Sequence, residues 1–146
     1  MQAVVIHESL TGNTKKAGVA IAERLRANGV ATQAFPTTHI DYQALAEADL
    51  VILGTWTDGL VLVGQRPGRL GRLKKLPSLA GKQAVVYLLY AIDPGSALQK
   101  LSATAKSLGA DVLGGQTIRR DKVEEGVTEF VDKVLAVIEA EPSEPG

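Results

Sequence analysis

The ten residues HESLTGNTKK at positions 7–16 join an apolar segment to an amphipathic one. Before them, Ala3–His7 is short, apolar and β-branched, which predicts a strand. After them, Thr14–Asn28 carries apolar residues at helical spacing, and Gly29 supplies a stop. A strand that enters a helix through a hydroxyl-rich turn presents backbone N–H groups at the positive end of the helix dipole. The stretch therefore predicts a phosphate-binding turn.

Strand and helix patterns alternate along the rest of the chain. Strands are predicted over Ala3–His7, Val30–Phe35, Leu50–Gly54, Gln83–Tyr90 and Asp111–Ile118. Helices are predicted over Thr14–Asn28, Asp41–Glu47 with Asp41 as its cap, part of Leu70–Leu76, Ser96–Leu108 with a Ser96/Gln99 capping box, and the segment that includes Val127 to Ile138. The alternation predicts an α/β domain, a doubly wound five-stranded parallel sheet over residues 1–140, with a frayed tail over 141–146. In such a sheet, ligands bind at the carboxyl ends of the strands.

The composition of the chain excludes or disfavours several classes of function. The chain has 146 residues, and its 16 basic and 16 acidic residues cancel, so no global field favours nucleic acid or an anionic membrane. The absence of cysteine excludes disulfides, thiol catalysis and Cys-based metal sites. His7 and His39 lie far apart, so neither a metal site nor a catalytic side chain is assigned. No apolar run has the length of a membrane helix, and a cytoplasmic setting is expected.

The turn differs from two well-known phosphate loops, because it lacks the Gly-Lys-Ser/Thr of a Walker A loop and the three glycines of a dinucleotide fingerprint. The pattern Ser-x-Thr-Gly-x-Thr after the first strand instead resembles the FMN phosphate loop of flavodoxins. The resemblance extends from Met1 to about Ala140, and it implies the strand order 2-1-3-4-5 and an uncharged phosphate pocket. The implied phosphate contacts are Ser9, Leu10, Thr11, Gly12, Asn13 and Thr14. The alternative is a helix cap that binds nothing, and Lys15 and Lys16 are interpreted as solvated.

The same resemblance places the flavin ring between the loops that follow the third and fourth strands. The implied ring contacts are Thr55, Trp56, Thr57, Asp58, Gly59, Tyr90 and Ala91. Trp56 is the one tryptophan of the chain, and stacking on a flat heterocycle is worth about 1–3 kcal/mol by analogy with nucleobases. Two alternatives stay open: Trp56 covers the sheet end, and Tyr90 is an ordinary strand-end residue.

Two features depart from the acidic character of electron-shuttling flavodoxins. The long connection after the third strand is basic, and its cations are Arg66, Arg69, Arg72, Lys74 and Lys75. These cations are either solvated or form a docking surface for an anionic group on a redox partner, a nicotinamide nucleotide or nucleic acid, with nucleic acid disfavoured by the neutral net charge. The apolar run Leu60–Val63 either covers the ring or forms the interface of a homo-oligomer.

Three functions are consistent with these residues. The first is an FMN-binding electron carrier, which needs no catalytic side chain because the ring performs the redox chemistry. The second is an FMN-dependent reductase that passes a hydride from a nicotinamide to a quinone-type acceptor. The third is a flavin-free interaction module on the same fold. The sequence favours the carrier.

Overall fold

The computed structural model describes residues 1–9, 12–57 and 70–140. Its strands are β1 (Gln2–His7), β2 (Ala31–Pro36), β3 (Leu50–Trp56), β4 (Gln83–Tyr90) and β5 (Asp111–Arg119). Its helices are α1 (Asn13–Ala27), α2 (Tyr42–Glu47), α3 (Leu70–Lys74), α4 (Ala97–Ser107) and α5 (Val123–Ala140). Strand and helix alternate throughout the described residues, as the sequence predicts.

The five strands form one parallel sheet in the order β2-β1-β3-β4-β5. This confirms the predicted doubly wound topology. The chain moves from β1 outward to β2, returns to β3 on the other side of β1, and then continues outward to β5. Strand order therefore reverses between β1 and β3, and the carboxyl ends of these two strands mark the crevice where such folds bind ligands.

Helices cover both faces of the sheet. On one face, Val5 of β1 and Ile52 of β3 pack against α1 and α5. On the other face, Ile6 of β1 and Leu53 of β3 pack against α2, α3 and α4. Because the central strands are covered on both sides, their sequences are continuous apolar runs rather than alternating ones.

β3 is two residues longer than predicted. The sequence places Thr55 and Trp56 in a loop, whereas in the structure they pair with Leu88 and Leu89 of β4. β4 continues beyond the predicted end of β3, so its backbone N–H and C=O groups offer partners that extend the strand. Both residues therefore have the fixed orientation of a strand.

The helix termini confirm one predicted cap and contradict another. Asp41 caps α2, because its Oδ1 accepts hydrogen bonds from the N–H groups of Gln43 and Ala44, both at 3.1 Å. Ser96 precedes α4, but its side chain makes no capping hydrogen bond, so the predicted capping box is wrong. Ser96 has φ −95° and ψ 12° rather than the extended backbone of a typical capping residue, and its side chain does not satisfy the first amides of α4.

Candidate functional site

The turn between β1 and α1 lies at the crevice of the sheet. Gly12 has φ 92°, a left-handed conformation that glycine adopts readily, and α1 begins at the next residue. The N–H of Gly12 donates to Oγ of Ser9 at 2.8 Å, which closes the turn on itself. Asn13 and the buried Thr14 form the first turn of the helix. Leu10 and Thr11 lie outside the described residues.

A polar cleft of about 310 Å³ opens beside this turn. Its lining includes Ser9, Gly12 and Lys15 from the turn and α1, Thr37 and Thr38 from the loop after β2, and Arg72 from α3. Three hydroxyl side chains and two cations thus line the cleft at the carboxyl end of β1. This donor set is suited to a phosphate.

Glu8 contributes a buried carboxylate to the same cleft, which the sequence analysis did not assign to the site. Its side chain is 2% exposed, and its Oε1 lies 3.2 Å from Nη1 of Arg72. The hydroxyl of Thr37 donates to its other oxygen, Oε2. The signal in the sequence was a charged residue directly after an apolar strand. A charged side chain at such a position is buried only when it has partners.

The cleft is charged, which differs from the uncharged pocket that the family resemblance implies. Lys15, which was interpreted as solvated, is exposed and also lines the cleft. Its charge also acts on His7, whose pKa it helps to lower. The described lining therefore holds two cations, Lys15 and Arg72, against one carboxylate, Glu8. An anionic ligand fits this balance better than a cationic one.

His7 is buried at the end of β1. Burial is the main cause that lowers the pKa of His7, Lys15 lowers it further, and Glu8 acts in the opposite direction. The imidazole is therefore neutral at pH 7. Its Nδ1 has no hydrogen-bond partner among the described residues.

The predicted ring contacts of β3 are placed at the same edge of the sheet. Thr55 and Thr57 are buried, and Trp56 is half-buried and packs against the core on the α1 and α5 side. The indole N–H of Trp56 is buried without a hydrogen-bond partner in the described part of the chain. Packing against the core therefore fixes the ring of Trp56 at the carboxyl end of β3. Asp58 and Gly59 lie outside the described residues.

Tyr90 and Ala91 lie at the carboxyl end of β4, and both are half-buried. Trp56 pairs with Leu89 in the sheet, so Tyr90 points to the opposite face from Trp56. The two aromatic side chains therefore approach the edge of the sheet from different faces. The peptide carbonyl of Tyr90 accepts a 2.9 Å hydrogen bond from the N–H of Arg120 and is held in place.

The basic residues of the long connection separate into two groups. Arg72, Lys74 and Lys75 are all exposed, but Arg72 also pairs with Glu8. Arg66, Arg69 and Leu60–Val63 fall outside the described ranges. In residues 1–9, 12–57 and 70–140, no group of three His, Cys, Asp or Glu side chains is placed to hold a metal. The helices in those ranges include none that is long and apolar enough to span a membrane.

Comparison with known families gives one match over most of the chain. The family model described as a flavodoxin domain matches residues 4–137. A comparison with curated proteins gives no significant match.

Solved structures share the fold at low sequence identity. Oxidised flavodoxin 1 from Bacillus cereus is 22% identical with a TM-score of 0.71, over 93% of this chain and 98% of that one. Two-electron reduced flavodoxin from Megasphaera elsdenii is 17% identical with a TM-score of 0.70, over 89% of this chain and 96% of that one. The rubredoxin oxygen:oxidoreductase from Desulfovibrio gigas is 17% identical with a TM-score of 0.65, over 92% of this chain but 36% of that one.

Proposed function

The chain belongs to the flavodoxin family of FMN-binding electron-transfer proteins, and we propose that it is an electron carrier whose FMN lies at the carboxyl ends of β1, β3 and β4. The observation that carries the proposal is the cleft beside Gly12, which is lined by hydroxyl side chains and two cations at the crevice of the sheet. FMN supplies the redox chemistry, because its ring accepts and returns electrons. The protein holds the ring and shields it from water.

The phosphate half of the site consists of the turn and its charged neighbours. Ser9 provides a hydroxyl that the N–H of Gly12 holds in place, and Thr14 lies in the first turn of the helix whose positive end faces the cleft. Leu10, Thr11 and Asn13 complete the turn by family resemblance. Because a hydrogen bond to a charged group contributes roughly 1.5–3 kcal/mol, several such donors suffice to hold a phosphate.

The ring half of the site consists of the residues at the ends of β3 and β4. Trp56 offers an indole face and an N–H without a partner in the described chain, and Tyr90 approaches from the other face of the sheet. Thr55, Thr57 and Ala91 border the same edge. Asp58 and Gly59 are proposed contacts from the sequence pattern.

The basic side chains after β3 are the proposed docking surface for an acidic redox partner. Lys74 and Lys75 are exposed, and the proposal adds Arg66 and Arg69 from the sequence. Arg72 is exposed beside them, but its charge is partly offset by the ion pair with Glu8. Electrostatic complementarity of this kind mainly raises the association rate, which then falls with increasing salt.

The test is a titration of the purified apoprotein with FMN, in which the quenching of flavin fluorescence measures binding. We expect one FMN per chain, and we expect Ser9→Ala to raise the Kd about tenfold because it removes a donor to the phosphate. Ser78→Ala is the matched control, since Ser78 Oγ also accepts from a nearby backbone amide, that of Ala80 at 3.2 Å, but lies away from the cleft.

Protein that fails to take up FMN would refute the proposal. A second measurement separates a carrier from a reductase: the FMN-loaded protein is mixed with NADH or NADPH and an artificial quinone. A carrier leaves the nicotinamide unoxidised, whereas steady-state oxidation of the nicotinamide would indicate a reductase.

A further inference from the structure

Tyr87 joins the centre of the sheet to the phosphate turn. It lies in β4 with its side chain fully buried, and its hydroxyl donates to the backbone carbonyl of Thr14 at 3.0 Å. Thr14 is the second residue of α1, 73 positions earlier in the chain. A buried hydroxyl needs a hydrogen-bond partner, and this contact supplies the partner for the hydroxyl of Tyr87.

Two glycines leave the space that the side chain of Tyr87 occupies. β3 lies between β4 and β1, and Gly54 of β3 is the register partner of Tyr87. A Cβ atom on Gly54 would lie 1.9 Å from Cζ of the tyrosine, so the ring occupies the space that any other residue would fill. A Cβ atom on Gly18 of α1 would lie 2.8 Å from the hydroxyl oxygen. The ring therefore crosses β3 at one glycine and meets α1 at the other.

The hydrogen bond from Tyr87 is made to a carbonyl of α1, and a carbonyl is not a group that binds a phosphate. Tyr87 binds a carbonyl, and the N–H groups of the first helical turn still point toward the N-terminal end of the helix. Gly12 precedes α1 as its N-cap residue and has no side chain to cap the helix. The hydroxyl of Tyr87 thus attaches the first turn of α1 to the buried centre of the sheet.

We propose that Tyr87 is a positioning residue for the flavin phosphate: its hydroxyl holds the first turn of α1 in place beside the cleft that Ser9 and Lys15 line. The inference rests on the proposed function, because it assigns the phosphate of FMN to this turn. It adds a residue from the buried centre of β4 to a site that the sequence pattern locates in the β1–α1 turn and in two loops.

The experiment compares Tyr87→Phe with Tyr42→Phe in the apoprotein. Tyr42 is 60% exposed on α2 and serves as the matched control for the loss of one hydroxyl. The Kd values of FMN and of riboflavin, which lacks the phosphate, are measured for each variant. We expect Tyr87→Phe to raise the Kd of FMN about three- to tenfold, the range of one net hydrogen bond, and to leave that of riboflavin unchanged. Tyr42→Phe should change neither.

Equal weakening of FMN and riboflavin would overturn the inference, because it would indicate a general loosening of the fold. Unchanged FMN binding would also overturn it. If the unmodified protein binds no FMN, the proposed function fails, and the positioning role is then judged by hydrogen exchange of the Gly18 amide, whose helical acceptor is the carbonyl of Thr14. Faster exchange in Tyr87→Phe than in Tyr42→Phe supports positioning of the turn, and equal rates contradict it.

Discussion

Arg72 and Glu8 form an ion pair across 64 positions of the chain, with Nη1 of Arg72 3.2 Å from Oε1 of Glu8. The carboxylate is buried and the arginine side chain is 47% exposed. The pair lies in the lining of the cleft to which we assign the FMN phosphate. A phosphate in this cleft would therefore be close to a carboxylate whose repulsion Arg72 offsets.

We expect Arg72→Gln to weaken FMN binding about tenfold, because it leaves the charge of Glu8 uncompensated beside the phosphate. The free energy of unfolding should fall by only about 1 kcal/mol, since the arginine is half exposed and its pairing is screened. Fluorescence titration and urea unfolding measure the two effects. Lys74→Gln, which removes an exposed cation from the same helix, should leave FMN binding nearly unchanged.

Glu8→Gln should have the opposite effect on the cofactor and tighten FMN binding. The amide keeps an acceptor oxygen for the hydroxyl of Thr37 but removes the negative charge from the cleft. Titration at low and at moderate salt measures the change, which should shrink as salt increases. Weaker binding in Glu8→Gln would show that the carboxylate acts by organising the cleft rather than by its charge.

Gly54→Ala should destabilise the fold by about 3 kcal/mol, because its new methyl group would overlap the ring of Tyr87 in a close-packed core. Urea unfolding of the apoprotein measures this loss. Gly114→Ala in β5 is the control, since a Cβ atom there would meet nothing within 4 Å. Similar effects of the two substitutions would mean that backbone conformation, not the tyrosine ring, determines the cost.

The buried imidazole of His7 predicts loss of stability in mild acid. Burial and Lys15 lower the pKa of His7 in the folded protein, while the unfolded chain keeps a value near 6.5. Between these two pKa values the unfolded state binds more protons, so the free energy of unfolding falls as the pH drops from about 6.5 through the folded pKa. Above pH 6.5 this contribution is complete and constant.

Urea unfolding from pH 7.5 to 5 measures the effect of His7. His7→Gln should flatten the pH dependence, because an amide does not titrate in this range. His39→Gln, which changes an exposed histidine, should retain the slope of the parent protein. Parallel curves for all three proteins would assign the acid sensitivity to other groups.

Substitution of the residues that precede α2 and α4 should lower the free energy of unfolding by different amounts. Asp41→Ala removes the acceptor for two amides of α2 and should cost about 1 kcal/mol of unfolding free energy. Ser96→Ala removes a hydroxyl that makes no capping hydrogen bond and should be nearly neutral. Chemical denaturation of both variants measures the difference, and equal costs would show that Ser96 caps α4 in solution.

Local sequence pattern was sufficient for the architecture. The apolar runs of β3 and β4 are continuous because both faces of a central parallel strand are buried, and this property is visible within five to eight adjacent residues. The turn to which we assign the phosphate is also a local feature, since Ser9, Gly12 and Thr14 belong to one short segment between a strand and a helix. The strand order followed from the family resemblance that this turn carries.

Tertiary structure alone decided how the site is charged and held. Glu8 meets Arg72 from 64 positions away, and Tyr87 reaches Thr14 across 73 positions. Neither pairing has a periodic or local signature, because it depends on strand register and on the faces to which side chains point. A register shift by one residue would turn Tyr87 to the other face of the sheet and remove its hydroxyl from α1. The residues of the turn are thus a local property of the chain, whereas the charge of the cleft and the position of the turn come from contacts that exist only after the sheet has formed.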